Sequence, residues 1–174
     1  MPEAGSYRCG DGILDPTAPI ALGDLDPAAE SDGRPEIVAN HENGGLVLFD
    51  NEGRELDIAF NNELGQGPNP APIISNLDGS GFAEIVVGRT VITVGRNDAG
   101  QLQFIDRFEG RASMGRNPGQ GAIACVADIL GLGRPQVIGG TAVYSWPEPP
   151  PGATQRSDCA NRGGQVQPTN ECEQ

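Results

Sequence analysis

The stretch Asn76-Leu77-Asp78-Gly79-Ser80-Gly81-Phe82-Ala83-Glu84 places oxygen-bearing side chains at its first, third, fifth and ninth positions. A hard cation such as Ca2+ takes about six to eight oxygen ligands, and alternate positions of a tightly wound loop turn inward together. Phe82, at the seventh position, would add its backbone carbonyl, and Gly81, at the sixth, permits the sharp turn that wraps the chain around an ion. An EF-hand would need a bidentate Glu at the twelfth position with a helix behind it. Val87 stands at that position, inside an apolar run. The bland alternative is that Asx-rich loops hydrogen-bond to their own backbone and bind nothing.

The loop recurs. Glu36, Glu84 and Gln136 fall 48 and 52 residues apart, and Asp24, Asn76 and Asp128 fall 52 and 52 apart. A period near fifty signals a repeat architecture. The first copy keeps Asp24, Asp26, Asp32, Gly33 and Glu36, with an insertion at 27–30. The third keeps Asp128 and Gly133 but has Leu130, Leu132 and Gln136 where the other ligands would stand, so no ion is expected there.

The elements that must position these loops read as strands. Short β-branched and aliphatic runs bounded by Gly, Asn and Asp predict strands at 19–23, 36–40, 45–49 and 54–60, then 72–75, 83–88, 90–95 and 101–107, then 122–127, 135–139 and 141–146. Hairpin signals such as Asn43-Gly44-Gly45 and Asn97-Asp98-Ala99-Gly100 separate them. Polar connectors at 61–70 and 111–121 join the units, which span 19–60, 72–107 and 122–146. Residues 1–18 form a leader and 147–174 an irregular Pro- and Cys-containing tail.

The pattern D-x-D-x-D-G-x-x-E/D followed by a short apolar strand resembles the FG-GAP/VCBS repeat of integrin-type β-propellers and bacterial surface proteins. The resemblance spans about residues 19–146. It implies Ca2+ ligands at Asn76, Asp78, Ser80, Phe82 (carbonyl) and Glu84, and at Asp24, Asp26, Asp32, Arg34 (carbonyl) and Glu36. It also implies an all-β fold of three consecutive blade-like antiparallel sheet units, the third incomplete. Propellers need about four to eight blades, so this chain alone would not close a ring. The units then belong to a longer propeller, stack openly, or are completed by other copies of the chain. The leader could fill the gap in the third unit by strand addition, in a neighbour or in its own chain. The leading CGDGILDP is similar to the start of cysteine-rich repeats in secreted bacterial proteins.

Bulk properties narrow the function. The net charge is −13 and every one of the 11 basic residues is Arg, a balance that repels a phosphate backbone and suits divalent cations or solubility. No apolar run approaches the roughly eighteen residues of a membrane span, and residues 1–10 lack the charged-then-apolar order of a signal peptide. None of Cys9, Cys125, Cys159 and Cys172 has C-x-x-C spacing, so a disulfide in an oxidising compartment is expected, with Cys159–Cys172 the favoured pair. Cys125 aligns with Ile73 and Ala21, apolar positions that suit a buried thiol. His41, the only histidine, sits in an HENGG turn, and no nucleophile has a recognisable setting. The expectation is a non-enzymatic, extracellular or cell-surface Ca2+-binding repeat protein for adhesion or assembly. The rival is a carbohydrate-binding module, or a non-catalytic part of a larger secreted enzyme, with Trp146 the candidate stacking residue for glycans.

Overall fold

A computed structural model of the chain describes residues 14–15, 17–27, 30–59, 70–79, 81–109, 123–139 and 142–145. Ser80, Trp146, Cys9, Cys159, Cys172, most of the leader and both connectors, and the tail lie outside these residues.

The described elements are strands, with no helix among them: β1 (Ala21–Gly23), β2 (Glu36–Asn40), β3 (Leu46–Phe49), β4 (Glu55–Ala59), β5 (Pro72–Ser75), β6 (Glu84–Val87), β7 (Thr90–Arg96), β8 (Leu102–Glu109), β9 (Cys125–Ala127), β10 (Gln136–Gly139) and β11 (Ala142–Ser145). Each overlaps the interval its apolar run predicts. They pair as antiparallel meanders of neighbours in sequence: β1-β2-β3-β4, β5-β6-β7-β8 and β9-β10-β11. The sheets remain separate, and the described strands do not close into a ring.

Local chemistry repeats along with the strands. In the β3–β4 turn the Asp50 carboxylate accepts from the N–H groups of Glu52 and Arg54, and in the β7–β8 turn the side-chain Oδ1 of Asn97 accepts from those of Ala99 and Gln101. Each turn ends on a glycine, Gly53 or Gly100, at φ 79°, a conformation that costs other residues about 1–2 kcal/mol. Both hairpins also carry a register shift, opposite Leu48/Phe49 and opposite Thr93/Val94, where the extra residue, Leu56 or Ile105, lies in the fourth strand.

Register assigns every strand residue to one of two faces. On the leading face of the first sheet lie Ala21, Val38 and Leu48, on that of the second Ile73, Val86 and Val91, and on that of the third Cys125, Ile138 and Val143. The trailing faces carry Leu22 and Ile37, then Ile74, Ile85 and Ile92, then Val126 and Val137. The leading face of the first sheet packs on the trailing face of the second in one apolar cluster, and the leading face of the second packs on the trailing face of the third in another. The middle sheet is therefore covered on both sides. That is why all of β6 is buried and why Ile85-Val86-Val87 and Val91-Ile92 are continuous apolar runs rather than alternating ones. Each such side chain taken from water stabilises the fold by about 1.5–3 kcal/mol.

Polar links join the first two sheets as well. Asp57 on β4 accepts from the N–H of Phe104 on β8 at 2.8 Å. Buried Asn40 donates through its amide to the carbonyls of Pro19 and Pro70 at 3.0 and 2.9 Å. Between β1 and β5 the sheets approach so closely that a Cβ on Gly23 would lie 2.9 Å from Ile74 Cγ2. Cys125 departs from expectation: it is a free, exposed thiol. Its aligned partners are covered by the next sheet, whereas Cys125 lies on the leading face of the third sheet, over which no described sheet packs.

Candidate functional site

The three acidic loops all join the first strand of a sheet to its second, at 24–35, 76–83 and 128–135. Alternation of strand direction puts the β3–β4 and β7–β8 turns on the same rim as the loops of their sheets. The first two loops touch, since the Ala83 N–H donates to the Leu25 carbonyl at 3.0 Å.

The residue that keeps the register has one structural task in every copy. Glu36 accepts the N–H of Leu25 through Oε2 at 2.9 Å, and Glu84 accepts the N–H of Leu77 through Oε2 at 2.8 Å. Gln136 accepts the N–H groups of Ile129 and Leu130 through Oε1 at 3.0 and 3.2 Å. All three side chains are buried. A backbone N–H left without a partner in such a place costs about 1–3 kcal/mol, so this oxygen braces the loop against the start of its second strand.

In the first loop, Asp24 accepts from the N–H of Asp26 at 3.1 Å and from the Ser31 hydroxyl, and exposed Asp32 accepts from the N–H of Arg34 at 2.8 Å. Arg34 is exposed, with its Nε 3.9 Å from Asp32. Asp26 is turned to the second sheet, where the Arg96 guanidinium donates to it at 2.6 Å, and its side chain is only 8% exposed. Burial pushes the Asp26 carboxyl up; Arg96 opposes this, and Asp24 and Asp32 push the same way as burial. Glu36 is raised too, by burial first, against the pull of the Leu25 N–H and with repulsion from Asp26 and Asp24.

In the second loop, Asn76 Oδ1 accepts the N–H of Gly79 at 2.6 Å, Asp78 is half-buried, and the Phe82 side chain packs against the first apolar cluster. Gly79 and Gly81 take φ of 79° and 63°. In the third, Asp128 spans its own loop, accepting from Leu132 and Gly133 at 2.9 and 2.8 Å, and the bond from Leu132 leads the effects that lower its pKa. Loops that hydrogen-bond to themselves are thus present in all three copies.

Among the described residues no three His, Cys, Asp or Glu side chains stand together as a metal-holding group. The second loop has only two acidic candidates, Asp78 and Glu84; its other donors would be the Asn76 amide, the Ser80 hydroxyl and the Phe82 carbonyl. That oxygen set has the chemistry of a hard-cation site. The first loop has four carboxylate candidates, Asp24, Asp26, Asp32 and Glu36, one of them already engaged by Arg96. Arg96 itself was not foreseeable from the motif, because it lies 70 residues from Asp26 and carries no repeat signature. His41 serves its turn, its Nδ1 accepting the N–H of Asn43 at 3.0 Å. Comparison of the chain with protein-family models, curated proteins and solved structures finds no match.

Proposed function

We propose that this chain is a non-enzymatic, extracellular calcium-binding β-repeat protein with a structural or adhesive role, its sheets being blades of the propeller type. The supporting observation is electrostatic: Asp24, Asp26, Asp32 and Glu36 share the first loop without three of them standing together as a metal-holding group, and the carboxyls of Asp26 and Glu36, raised first by burial, are raised further by their acidic neighbours. A divalent cation relieves that repulsion. Asn76, Asp78, Ser80, Glu84 and the Phe82 carbonyl would hold an ion in the second loop; Asp24, Asp26, Asp32, Glu36 and the Arg34 carbonyl would do so in the first, where Asp26 must share itself with Arg96. The ion supplies positive charge and a fixed spacing between the first two strands of a sheet. It takes no part in a reaction.

Thermal melting in millimolar Ca2+ and in chelator tests the reading. Sites of the ~0.1–1 mM affinity typical of extracellular modules add about 0.5–1.5 kcal/mol each at that concentration. Ca2+ is expected to raise Tm by a few degrees and Asp78→Ala to reduce the rise. Superimposable curves with and without Ca2+ would overturn it.

A further inference from the structure

We propose that Arg96 is a built-in cation of the first loop, and that Ca2+ binding there and the Asp26–Arg96 ion pair exclude each other. The inference rests on the calcium reading of the first loop and concerns how that site is regulated.

Three of the four acids bond within the loop's own stretch of chain. Asp24 accepts from Asp26 and Ser31, Asp32 from Arg34, and Glu36 from Leu25. Asp26 accepts instead from the second sheet, its Oδ1 lying 2.6 Å from Arg96 Nη2. The other terminal nitrogen, Nη1, donates to the Gly100 carbonyl in the β7–β8 turn at 2.7 Å. One planar group thus spans the rim from the turn of the second sheet to the loop of the first. It brings a full positive charge to the acids, a stand-in for the cation their oxygens suit.

Sharing Asp26 is unfavourable on charge. Ca2+ sits about 2.3–2.6 Å from each ligand oxygen, so an ion on Asp26 would face the guanidinium across a single carboxylate. The Asp26 side chain is only 8% exposed, which leaves little water between the two like charges to screen them. The Arg96 side chain is 36% exposed, so its head has a path to solvent. An arriving ion therefore displaces the guanidinium, and the ion pair, while it stands, holds the ion off.

Such a coupling is reciprocal: the factor by which Arg96 weakens Ca2+ is the factor by which Ca2+ weakens the ion pair. Loading the first loop exchanges a tie between sheets for a tie within the loop. The apolar cluster and the Asp57 and Asn40 bonds still join the first two sheets.

The test is calorimetric titration with CaCl2, near neutral pH and at physiological salt, of the unaltered chain, Arg96→Gln and Arg96→Lys, each with and without Asp32→Asn. The binding event that Asp32→Asn abolishes belongs to the first loop. Arg96→Gln is expected to tighten that event about five- to twentyfold, the lower part of the usual range because the pair is partly exposed, and to leave second-loop binding unchanged. An event seen only after Arg96→Gln supports the inference equally. Arg96→Lys keeps the charge and should bind as weakly as the unaltered chain; a Lys variant as tight as Gln overturns the inference. So does a first-loop affinity that Arg96→Gln leaves unchanged, or the absence of any first-loop event in both chains. In each of those cases second-loop binding would leave the calcium reading standing, whereas no binding by any chain would remove both. Melting gives the reciprocal readout. The loss of Tm caused by Arg96→Gln in chelator should shrink in saturating Ca2+, and an equal loss in both media would mean that ion and guanidinium coexist on Asp26, which overturns the inference.

Discussion

Glu36 offers the sharpest test of what the repeating acid does. Glu36→Gln keeps an oxygen for the Leu25 N–H, as Gln136 does for Ile129 in the third loop, and removes the charge that Asp24 and Asp26 repel. Glu36→Ala removes the oxygen and strands a buried N–H. The difference between the two variants isolates the bond: about 1–3 kcal/mol, the penalty of an unmade hydrogen bond in the interior. For a chain of this length that corresponds to roughly 2–12 °C in Tm. Because burial and its acidic neighbours raise the Glu36 pKa, its ionised form weakens the fold at neutral pH, so Gln should melt at or above the unaltered chain there. Urea or thermal denaturation at pH 7 in chelator reads both numbers. If Gln proves as unstable as Ala, the brace is not what Glu36 contributes. If Gln keeps the full thermal response to Ca2+, then Glu36 is not a ligand.

Two further outcomes are expected. Arg96→Gln leaves Asp26 without its counter-ion and should cost about 1 kcal/mol at pH 7, the pair being partly exposed. Since burial raises the Asp26 carboxyl above its ordinary 3.8, the contribution of its protonation favours folding below 3.8 and is lost as pH rises through the raised value. The gap between variant and parent should therefore be full at pH 7 and close as pH falls and Asp26 protonates; a gap unchanged down to pH 3.8 would argue against the ion pair. Gly23→Ala would set a methyl 2.9 Å from Ile74 Cγ2, and relieving that overlap should cost about 1–3 kcal/mol, read as a lower Tm; an unchanged Tm would show that β1 and β5 are free to separate.

The strands were legible because their cause is local. A run such as Ile85-Val86-Val87 between glycine-bearing turns has few alternatives, and the 52-residue offset of Asp24, Asn76 and Asp128 carried one unit's reading to the next. The work of the register residue was not legible from the acids alone, since a carboxylate that holds an ion and one that accepts a buried N–H look the same in sequence. The informative signal was Gln136, poor as a charged ligand yet adequate as an acceptor, in step with Glu36 and Glu84. Cys125 was misplaced because alignment with Ile73 and Ala21 reports which face a residue takes, not whether anything covers that face. The Asp26–Arg96 pair depends on how sheets stack, which no single repeat encodes.

Burial on both flanks sets β5–β8 apart from its neighbours in time as well as space. Among the described residues the first and third sheets each pack on the middle sheet alone, so thermal opening should begin at the ends and move inward, as fraying does in a linear array of modules. Amide protons of β6 would be the last to exchange, and the middle module would act as the seed on which the other two order themselves.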